Sequence, residues 1–211
     1  MKIGINSLTF NNDFSVLQKI KPFIDTLEPT KRFYLENPQL IKENIPMETM
    51  GSLIVGDYDL TNINDRKSFI NELKETCTMC DDLGISKMMF GMSRFRKSPN
   101  LKFFEELYYI CKDKNKILMY EAISKDPFIS SHKELIEFSK RLGIDGIHVD
   151  FGTIFQNNED FKEIEKSYNI LNIHFPFGMQ PNINHNISLE NYSGTKLSQK
   201  EIENWLKNLK Q

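Results

Sequence analysis

Apolar residues recur along this chain in two alternating patterns. Short runs that are rich in apolar side chains and bounded by turn-forming residues are typical of β-strands. Longer segments with apolar residues at every third or fourth position are typical of amphipathic helices. The short runs predict eight strands, at residues 2–6, 32–36, 52–56, 87–91, 116–121, 146–150, 170–174 and 186–190.

Helical periodicity fills most of the sequence between these strands. The last helical segment opens with Ser198 and Glu201, whose spacing is that of a capping box. A sequence in which strands and helices alternate in this way predicts a parallel sheet covered by helices. The predicted helices lie at residues 13–27, 38–43, 65–83, 101–112, 131–142, 159–167 and 198–209.

The number of strands favours a closed barrel over an open, doubly wound sheet. An open sheet that binds dinucleotides has a glycine-rich turn after its first strand, and residues 5–9 contain no glycine. The 211 residues are few for an eight-stranded α/β barrel, for which about 250 is typical. We therefore predict a single domain over residues 1–211, of the α/β class, forming a compact (β/α)8 TIM barrel. One or more outer helices should be missing, because only residues 175–185 separate the last two strands.

Four of the predicted strands end on a side chain that can bind a metal ion. Glu121, Asp150, His174 and Glu190 close the fifth to the eighth strand. The ends of parallel strands gather at one rim of a barrel, which is the rim where barrel enzymes build their active sites. Residues that are distant in sequence could therefore meet at one point.

Side-chain alternation places these residues on the polar face of their strands. His148 shares the face of Asp150, whereas the opposite strand faces are apolar and suit the packing of helices. Three carboxylates within a few ångströms of one another in a partly dry cavity must protonate, pair with cations or bind a metal ion. Oxygen and nitrogen ligands together suit one divalent metal ion, such as Mn²⁺, Mg²⁺, Co²⁺ or Zn²⁺.

The composition argues against several classes of partner. A net charge of -2, with basic and acidic residues interspersed, provides no positive surface for nucleic acid. No stretch approaches the ~20 apolar residues of a membrane span, and the first residues lack the basic region of a signal peptide. Three cysteines, an odd number, suit core packing better than a disulfide scaffold. We therefore expect a cytoplasmic protein without nucleic-acid or membrane partners, and the sequence leaves a homo-oligomer open.

The order Glu, Asp, His, Glu at the ends of strands five to eight resembles that of the xylose isomerase-like superfamily of sugar isomerases and epimerases. The resemblance extends over most of the chain and includes the passages MKIGIN, MYEAIS, HVDFG, NIHFPFG and ISLENY. It implies a TIM barrel that binds one divalent metal ion through Glu121, Asp150, His174 and Glu190 and acts on a small carbohydrate-like substrate. It also implies that Glu121 and Glu190 are the general base and acid of a reaction that passes through an enediolate.

The chain departs from the superfamily pattern at three places. Thr153 replaces a histidine that often follows the strand-six aspartate, and Phe177 replaces an aspartate that often follows the strand-seven histidine. The third predicted strand ends in Gly56 and Asp57 instead of histidine. Two alternatives to an isomerase or epimerase therefore stay open. One is a metal-dependent dehydratase or lyase acting on a keto-polyol, and the other is a catalytically inactive barrel that serves as a binding or assembly partner.

Four further residues are candidates for substrate binding. Glu36 ends the predicted second strand, where it could hydrogen-bond substrate hydroxyls or pair with a neighbouring cation. Arg94 and Arg96 follow the fourth strand at the same rim. Their guanidinium groups match the oxygens of a phosphate or carboxylate, with a solvated charged loop as the alternative. His148 lies one layer below Asp150, where it would contact substrate or be satisfied inside the barrel.

Structural roles compete with this chemistry at several positions. Asp150 could cap the segment after its strand through backbone amides. Glu121 and Glu190 could be ordinary surface carboxylates, although matching positions at four strand ends favour a shared site. His132 and His185 are expected at the surface or in loops.

Overall fold

The computed structural model describes residues 1–51, 53–54, 58–91, 101–126, 128–192 and 196–209. Strands and α-helices alternate through these residues. The strands are β1 (Ile3–Asn6), β2 (Thr26–Glu28), β3 (Thr49–Met50), β4 (Lys87–Gly91), β5 (Ile117–Glu121), β6 (Ile147–Asp150), β7 (Ile170–Pro176) and β8 (Ile187–Glu190). The α-helices are α1 (Phe14–Ile20), α2 (Lys31–Glu36), α3 (Ile63–Asp82), α4 (Leu101–Lys112), α5 (His132–Leu142), α6 (Phe151–Asn157), α7 (Phe161–Ser167) and α8 (Gln199–Leu209). Short 3-10 helices span Ser7–Phe10, Lys21–Phe23 and Pro38–Lys42.

The strands pair in parallel in two groups, which are ordered β2-β1-β8-β7-β6 and β3-β4-β5. The two groups of strands are in contact at two places. At the first, Gly51 donates its backbone N–H to the Pro29 carbonyl at 3.0 Å, and Leu27 donates to Pro46 at 2.9 Å. At the second, β5 and β6 lie side by side. The strands therefore close into the parallel α/β barrel that the sequence predicts.

The two faces of the strands carry different side chains. Tyr120 on β5 points outward, and its ring centre lies 6.1 Å from that of Phe104 on α4 and 5.3 Å from that of Phe138 on α5. His148 on β6 and His174 on β7 are fully buried inside the barrel. The centres of their rings lie 4.4 Å apart. The barrel interior is therefore polar toward the C-terminal ends of the strands, as side-chain alternation predicts.

Serine side chains cap the starts of two helices, one of them the predicted capping box. The Ser198 N–H donates to the Glu201 carboxylate at 2.7 Å, and the Glu201 N–H donates to Ser198 Oγ at 3.3 Å. Ser131 caps α5 by accepting from the N–H of Glu134 at 3.3 Å. Residues 177–186, all of which are described, contain no helix. The predicted loss of an outer helix between β7 and β8 is thus confirmed.

The prediction for the second strand is wrong. Residues 32–36 belong to α2, and β2 lies upstream of it, so that the helix predicted over residues 13–27 ends at Ile20. Thr30 sets the boundary, because its Oγ accepts a hydrogen bond from the Phe33 N–H at 3.1 Å and starts α2 at the next residue. Parallel pairing with β1 overrides the local helical periodicity in the short β2 segment.

The third strand begins earlier than predicted. β3 covers only Thr49–Met50, and a single parallel bridge extends its pairing to Gly51. Of the predicted strand at residues 52–56, only residues 53 and 54 are described, and they are not in a strand. Gly56 and Asp57, which the sequence places at the end of this strand, lie outside the described residues.

Helix α6 is an element that the sequence pattern does not predict. It begins directly after β6, where the Asp150 carboxylate accepts a hydrogen bond from the Thr153 N–H at 2.6 Å. The carboxylate that ends β6 therefore also caps α6. No loop residue separates the two elements, so the sequence contains no turn signal that would mark the start of the helix.

The outer helices bury apolar faces and thiols against the barrel. Cys77 and Cys80 on α3 and Cys111 on α4 are buried and unbridged, which agrees with the prediction that they pack in the core. Among the helices in the described part of the chain, none has the length and apolar character needed to cross a bilayer.

Candidate metal centre

The structure brings the four predicted metal ligands together. Glu121, Asp150, His174 and Glu190 lie at or near the C-terminal ends of β5, β6, β7 and β8. One potential ligand atom from each lies within 4.8 Å of the others. Asp150 and His174 are buried, whereas Glu121 and Glu190 are partly exposed. The two glutamates are therefore the members of the cluster that solvent can reach.

His174 lies between two carboxylates. Its Nε2 donates to Glu28 Oε1 at 2.7 Å, and its Nδ1 lies 2.8 Å from Glu190 Oε2 without the geometry of a hydrogen bond. Burial alone would lower the pKa of His174, but the charges of Glu28 and Glu190 raise this pKa well above its ordinary value. The ring of His174 therefore keeps its second proton more tightly than a free imidazole does, and a bound metal ion would take the place of that proton at Nδ1.

Glu28 lies beside the cluster, although the sequence pattern does not indicate it. It ends β2, is 3 % exposed, and its Oε1 accepts hydrogen bonds from Asn6 Nδ2 and His174 Nε2, both at 2.7 Å. Its Oε2 accepts from Asn172 Nδ2 at 3.1 Å. Glu28 thus orients His174 from behind the cluster, as outer partners of metal-binding histidines do. A strand-end carboxylate is a recognisable signal, but the helical pattern that runs to Leu27 conceals it.

Asp150 combines two contacts that the sequence leaves as alternatives. One oxygen caps α6 through the Thr153 N–H, and the other accepts a hydrogen bond from the Tyr192 hydroxyl. The Tyr192 contact has no signal in the sequence, because an aromatic residue after a strand is common. Capping α6 and facing the cluster are therefore compatible roles for Asp150.

His132 is fully buried, so the expectation of a surface or loop position is wrong for this residue. Its Nδ1 lies 2.5 Å from Glu159 Oε2, and its Nε2 accepts from the backbone N–H of Asp150 at 3.2 Å. Glu159 covers the ring from the connection between α6 and α7, which explains the burial. His185 is partly exposed in the loop before β8 and pairs with Glu165 at 2.7 Å, as expected.

The two glutamates of the cluster have opposite electrostatic environments. Burial raises the pKa of Glu121 to about 8, against the effect of His174 and with that of Asp150 and Glu190. The pKa of Glu190 is lowered. Burial alone would raise it, but the charge of His174 and the contact between the two side chains outweigh burial. Three carboxylates thus share one cationic partner. A divalent cation would relieve their repulsion and allow all three to ionise.

Two glycines leave room for the carboxylates of the cluster. A Cβ atom at Gly91, the last residue of β4, would lie 3.0 Å from Glu121 Oε2. A Cβ atom at Gly152 would lie 3.0 Å from Asp150 Oδ1 and 3.3 Å from the Tyr192 ring. At these separations the neighbour must move by a few tenths of an ångström, so an added methyl group at either position would crowd a carboxylate of the site.

His148 lies beneath the cluster. Its Nδ1 is 3.3 Å from Asn172 Nδ2, and its Nε2 has no hydrogen-bond partner and lies 3.8 Å from Glu121 Oε1. Burial, followed by the charge of His174, holds the pKa of His148 well below its ordinary value, so its imidazole is neutral. Potential ligand atoms of Glu121, His148 and His174 also lie within 4.8 Å of one another.

The other residues predicted to bind substrate fall elsewhere. Glu36 lies on α2, where its exposed carboxylate pairs with Arg32 one helical turn earlier at 2.8 Å. The placement of Glu36 at a strand end is therefore wrong, and Glu28 occupies the position that the sequence assigns to it. Arg94 and Arg96 lie outside the described residues.

The chemistry of the cluster fits a divalent metal ion. Three carboxylates and one imidazole supply the oxygen and nitrogen donors that Mn²⁺, Mg²⁺, Co²⁺ and Zn²⁺ accept. The buried Nδ1 of His174 makes no hydrogen bond of standard geometry, contacts Glu190 Oε2 at 2.8 Å and faces the same space as the other carboxylates. A cation in this space would satisfy that nitrogen and neutralise the like charges around it.

Comparisons with known proteins were informative only for structure. No protein-family model matches the sequence, and no curated protein matches it. The zinc-bound IolI protein is 15% identical, with a TM-score of 0.71 over 100% of this chain and 96% of that protein. D-psicose 3-epimerase, solved with D-fructose, is 12% identical, with a TM-score of 0.75 over 99% of this chain and 96% of that one. A xylose isomerase domain protein from Alicyclobacillus acidocaldarius is 12% identical, with a TM-score of 0.73 over 100% and 97%.

These matches decide the architecture. The chain has the xylose isomerase-like TIM-barrel fold. The resemblance inferred from the strand-end residues is thus confirmed at the level of the fold. Identities of 12–15% show the fold alone.

Proposed function

We propose that this protein is a divalent-metal-dependent isomerase or epimerase of a small sugar, sugar phosphate or related hydroxy-carbonyl compound. The proposal depends on the convergence of Glu121, Asp150, His174 and Glu190, whose potential ligand atoms lie within 4.8 Å of one another. The xylose isomerase-like fold supports it, since proteins of this fold include a sugar epimerase and a zinc-bound protein.

Burial suggests how the four residues would divide the work. Asp150 and His174 are buried and held by other residues, so they are suited to anchoring a metal ion. When bound, the ion would supply a Lewis acid toward a carbonyl and a neighbouring hydroxyl oxygen. Glu121 and Glu190 are partly exposed, so they are suited to proton transfer. One glutamate would remove a proton from the carbon beside the carbonyl, and either glutamate would return it to the enediolate.

Metal binding tests the first half of this proposal. We expect chelator-treated full-chain protein to bind about one ion per chain in calorimetric titrations with Mn²⁺, Mg²⁺, Co²⁺ or Zn²⁺. Glu190→Gln should weaken binding by at least about 100-fold, because it removes a charged ligand. Glu137→Gln, which changes an exposed carboxylate on α5, should leave the affinity unchanged. Absence of binding for all of these ions, or equal affinity in both variants, would contradict the proposal.

Hydrogen exchange tests the second half. The metal-loaded protein, incubated in D₂O with a panel of small ketoses and their phosphates, should place deuterium on the carbon beside the carbonyl and form an isomer or epimer. Loss of water from a keto-polyol would instead support the dehydratase alternative. Tight metal binding without turnover of any compound would support the inactive barrel.

Metal affinity is expected to rise with pH. The pKa of Glu121 is raised to about 8, by burial above all, and the pKa of His174 is also raised, despite its burial, by Glu28 and Glu190. Both groups must lose a proton before they can act as ligands, so binding releases protons below about pH 8. The affinity should rise by about one order of magnitude per pH unit for each proton released. Calorimetry in buffers of different ionisation enthalpy counts these protons, and a pH-independent affinity would contradict the charge states described here.

A further inference from the structure

Glu28 is the centre of a buried polar network at the floor of the site. Its carboxylate accepts hydrogen bonds from Asn6, His174 and Asn172. A carboxylate that accepts on both oxygens requires a donor at each contact. Asn6, His174 and Asn172 must therefore each present a hydrogen to Glu28.

The side-chain amide of Asn172 has only one orientation that satisfies this requirement. Its Nδ2 lies 3.1 Å from Glu28 Oε2 and 3.3 Å from His148 Nδ1. An amide nitrogen carries two hydrogens, so it can donate to both neighbours at once. The flipped amide would place its oxygen against the carboxylate, which repels it. Asn172 therefore donates to His148.

This donation determines the tautomer of His148. Because Nδ1 accepts a hydrogen bond, the single proton of the neutral ring resides on Nε2. The Nε2–H is buried and has no acceptor within hydrogen-bond distance in the described residues. Glu121 Oε1 lies 3.8 Å away, on the adjacent strand β5. A buried N–H without an acceptor is costly, so it favours any small shift that supplies one.

The same network determines which ring nitrogen of His174 faces the cluster. Its Nε2 donates to Glu28 Oε1 at 2.7 Å, which leaves Nδ1 as the nitrogen that faces the cluster. The two adjacent imidazoles thus differ in function. His174 offers a nitrogen to a cation, whereas His148 offers a hydrogen.

We propose that Glu28, acting through Asn172, locks His148 in the Nε2–H tautomer, so that this N–H faces Glu121 Oε1 at 3.8 Å and makes His148 a positioning residue for Glu121 rather than a metal ligand. This inference deepens the proposed function and rests on it for the role of Glu121. A donor below one Glu121 oxygen holds that oxygen at the floor of the site and leaves the other free for the metal or for proton transfer. The lock disfavours a deeper metal position formed by Glu121, His148 and His174, because a metal ion at His148 Nε2 would require the ring's proton at Nδ1, where the Asn172 amide also presents a hydrogen.

The tautomer can be measured directly on the metal-free protein. The chain has four histidines, so ¹⁵N-histidine labelling and long-range ¹H–¹⁵N correlation resolve each ring, and His148→Gln assigns the His148 signals. We expect the Nε2–H pattern for His148 in the unaltered chain. In Asn172→Asp, a carboxylate replaces the amide donor, so His148 should switch to the Nδ1–H pattern.

Two results would overturn the lock. One is the Nδ1–H pattern in the unaltered chain, and the other is an unchanged pattern in a folded Asn172→Asp protein. If the charge that Asn172→Asp adds beside Glu28 prevented folding, the pattern of the unaltered chain would decide the question alone. Metal binding and activity play no part in this measurement, so its failure is distinguishable from failure of the proposed function.

A matched pair of variants tests the positioning role. Glutamine can place an amide N–H near the position of His148 Nε2, whereas leucine fills similar space without a donor. In metal-loaded protein, His148→Leu should slow hydrogen exchange about 10- to 100-fold through kcat, with little change in KM. His148→Gln should restore most of the rate, because it restores a donor toward Glu121. Equal rates for the two variants would refute the role.

Discussion

Glu121→Gln is expected to retain the fold and to lose turnover by about 10²- to 10⁴-fold, the usual contribution of a general acid or base. Glutamine keeps the volume of the side chain and removes both the charge and the ability to accept a proton. Glu121 lies at the end of β5 among the other candidate ligands, so the loss should appear in kcat. Solvent exchange of carbon-bound hydrogen, measured on the best substrate of the ketose panel, provides the rate.

The same substitution should stabilise the metal-free protein near neutral pH. The unfolded chain releases the Glu121 proton near 4.5 and the folded metal-free protein near 8, mainly because burial disfavours the ionised carboxylate. Between these pH values ionisation favours the unfolded chain, so stability falls as pH rises through this window. A glutamine avoids this loss. Its melting temperature should therefore exceed that of the unaltered chain at pH 7 and equal it near pH 4.

Glu36→Gln is the matched control for Glu121→Gln. It makes the same chemical change at an exposed carboxylate that pairs only with Arg32 among the described contacts, and we expect neither turnover nor melting temperature to change appreciably. Near-normal turnover in Glu121→Gln would remove this residue from the mechanism. A large effect of Glu36→Gln would instead support a substrate-binding role for Glu36, which its position on α2 argues against.

His174→Leu should abolish metal binding and strongly destabilise the metal-free protein. His174 is fully buried and lies between Glu28 and Glu190. Removing one partner of a buried ionic group typically costs about 3–5 kcal/mol of unfolding free energy, because the remaining charge is left uncompensated. For a chain of this size, that corresponds to a fall in melting temperature of roughly 6–20 °C. Denaturant titration of the chelator-treated protein measures the free energy.

A second substitution separates loss of a charge partner from loss of packing. In the double variant Glu28→Gln/His174→Leu, the buried carboxylate behind the ring is replaced by a neutral amide. We expect this double variant to recover at least about half of the lost stability, since neighbouring substitutions in one network are not additive. If the double variant were less stable than His174→Leu alone, Glu28 would stabilise the fold independently of His174.

The strand-end ligands could be found from sequence because each follows a strand with clear periodicity. β5, β6 and β8 differ from their predicted ranges by one residue at the start, and their last residues are Glu121, Asp150 and Glu190. Parallel strands necessarily bring such ends to one rim, so correct strands imply the cluster. No comparable reasoning applies to loops, whose paths depend on contacts made across the whole barrel.

The residues of the site that the sequence pattern does not indicate depend on contacts between distant segments of the chain. Glu28 ends a strand of only three residues, which is formed by pairing with β1 and has little pattern of its own. The sequence does contain one signal for the end of this strand. Thr30 follows Pro29, and a threonine commonly caps the start of a helix, which places the end of the preceding strand before it. Tyr192 and His132 reach Asp150 from distant segments, and sequence spacing contains no information about such contacts.

Gly91 and Gly152 have a consequence for reading related sequences. Each lies where even one methyl group would crowd a carboxylate of the cluster. A homologue that retained all four acidic and imidazole side chains, but had acquired alanine at either glycine, would have to shift one ligand carboxylate by a few tenths of an ångström. Natural variation at these two inconspicuous positions should therefore be considered together with the ligands when related barrels are compared.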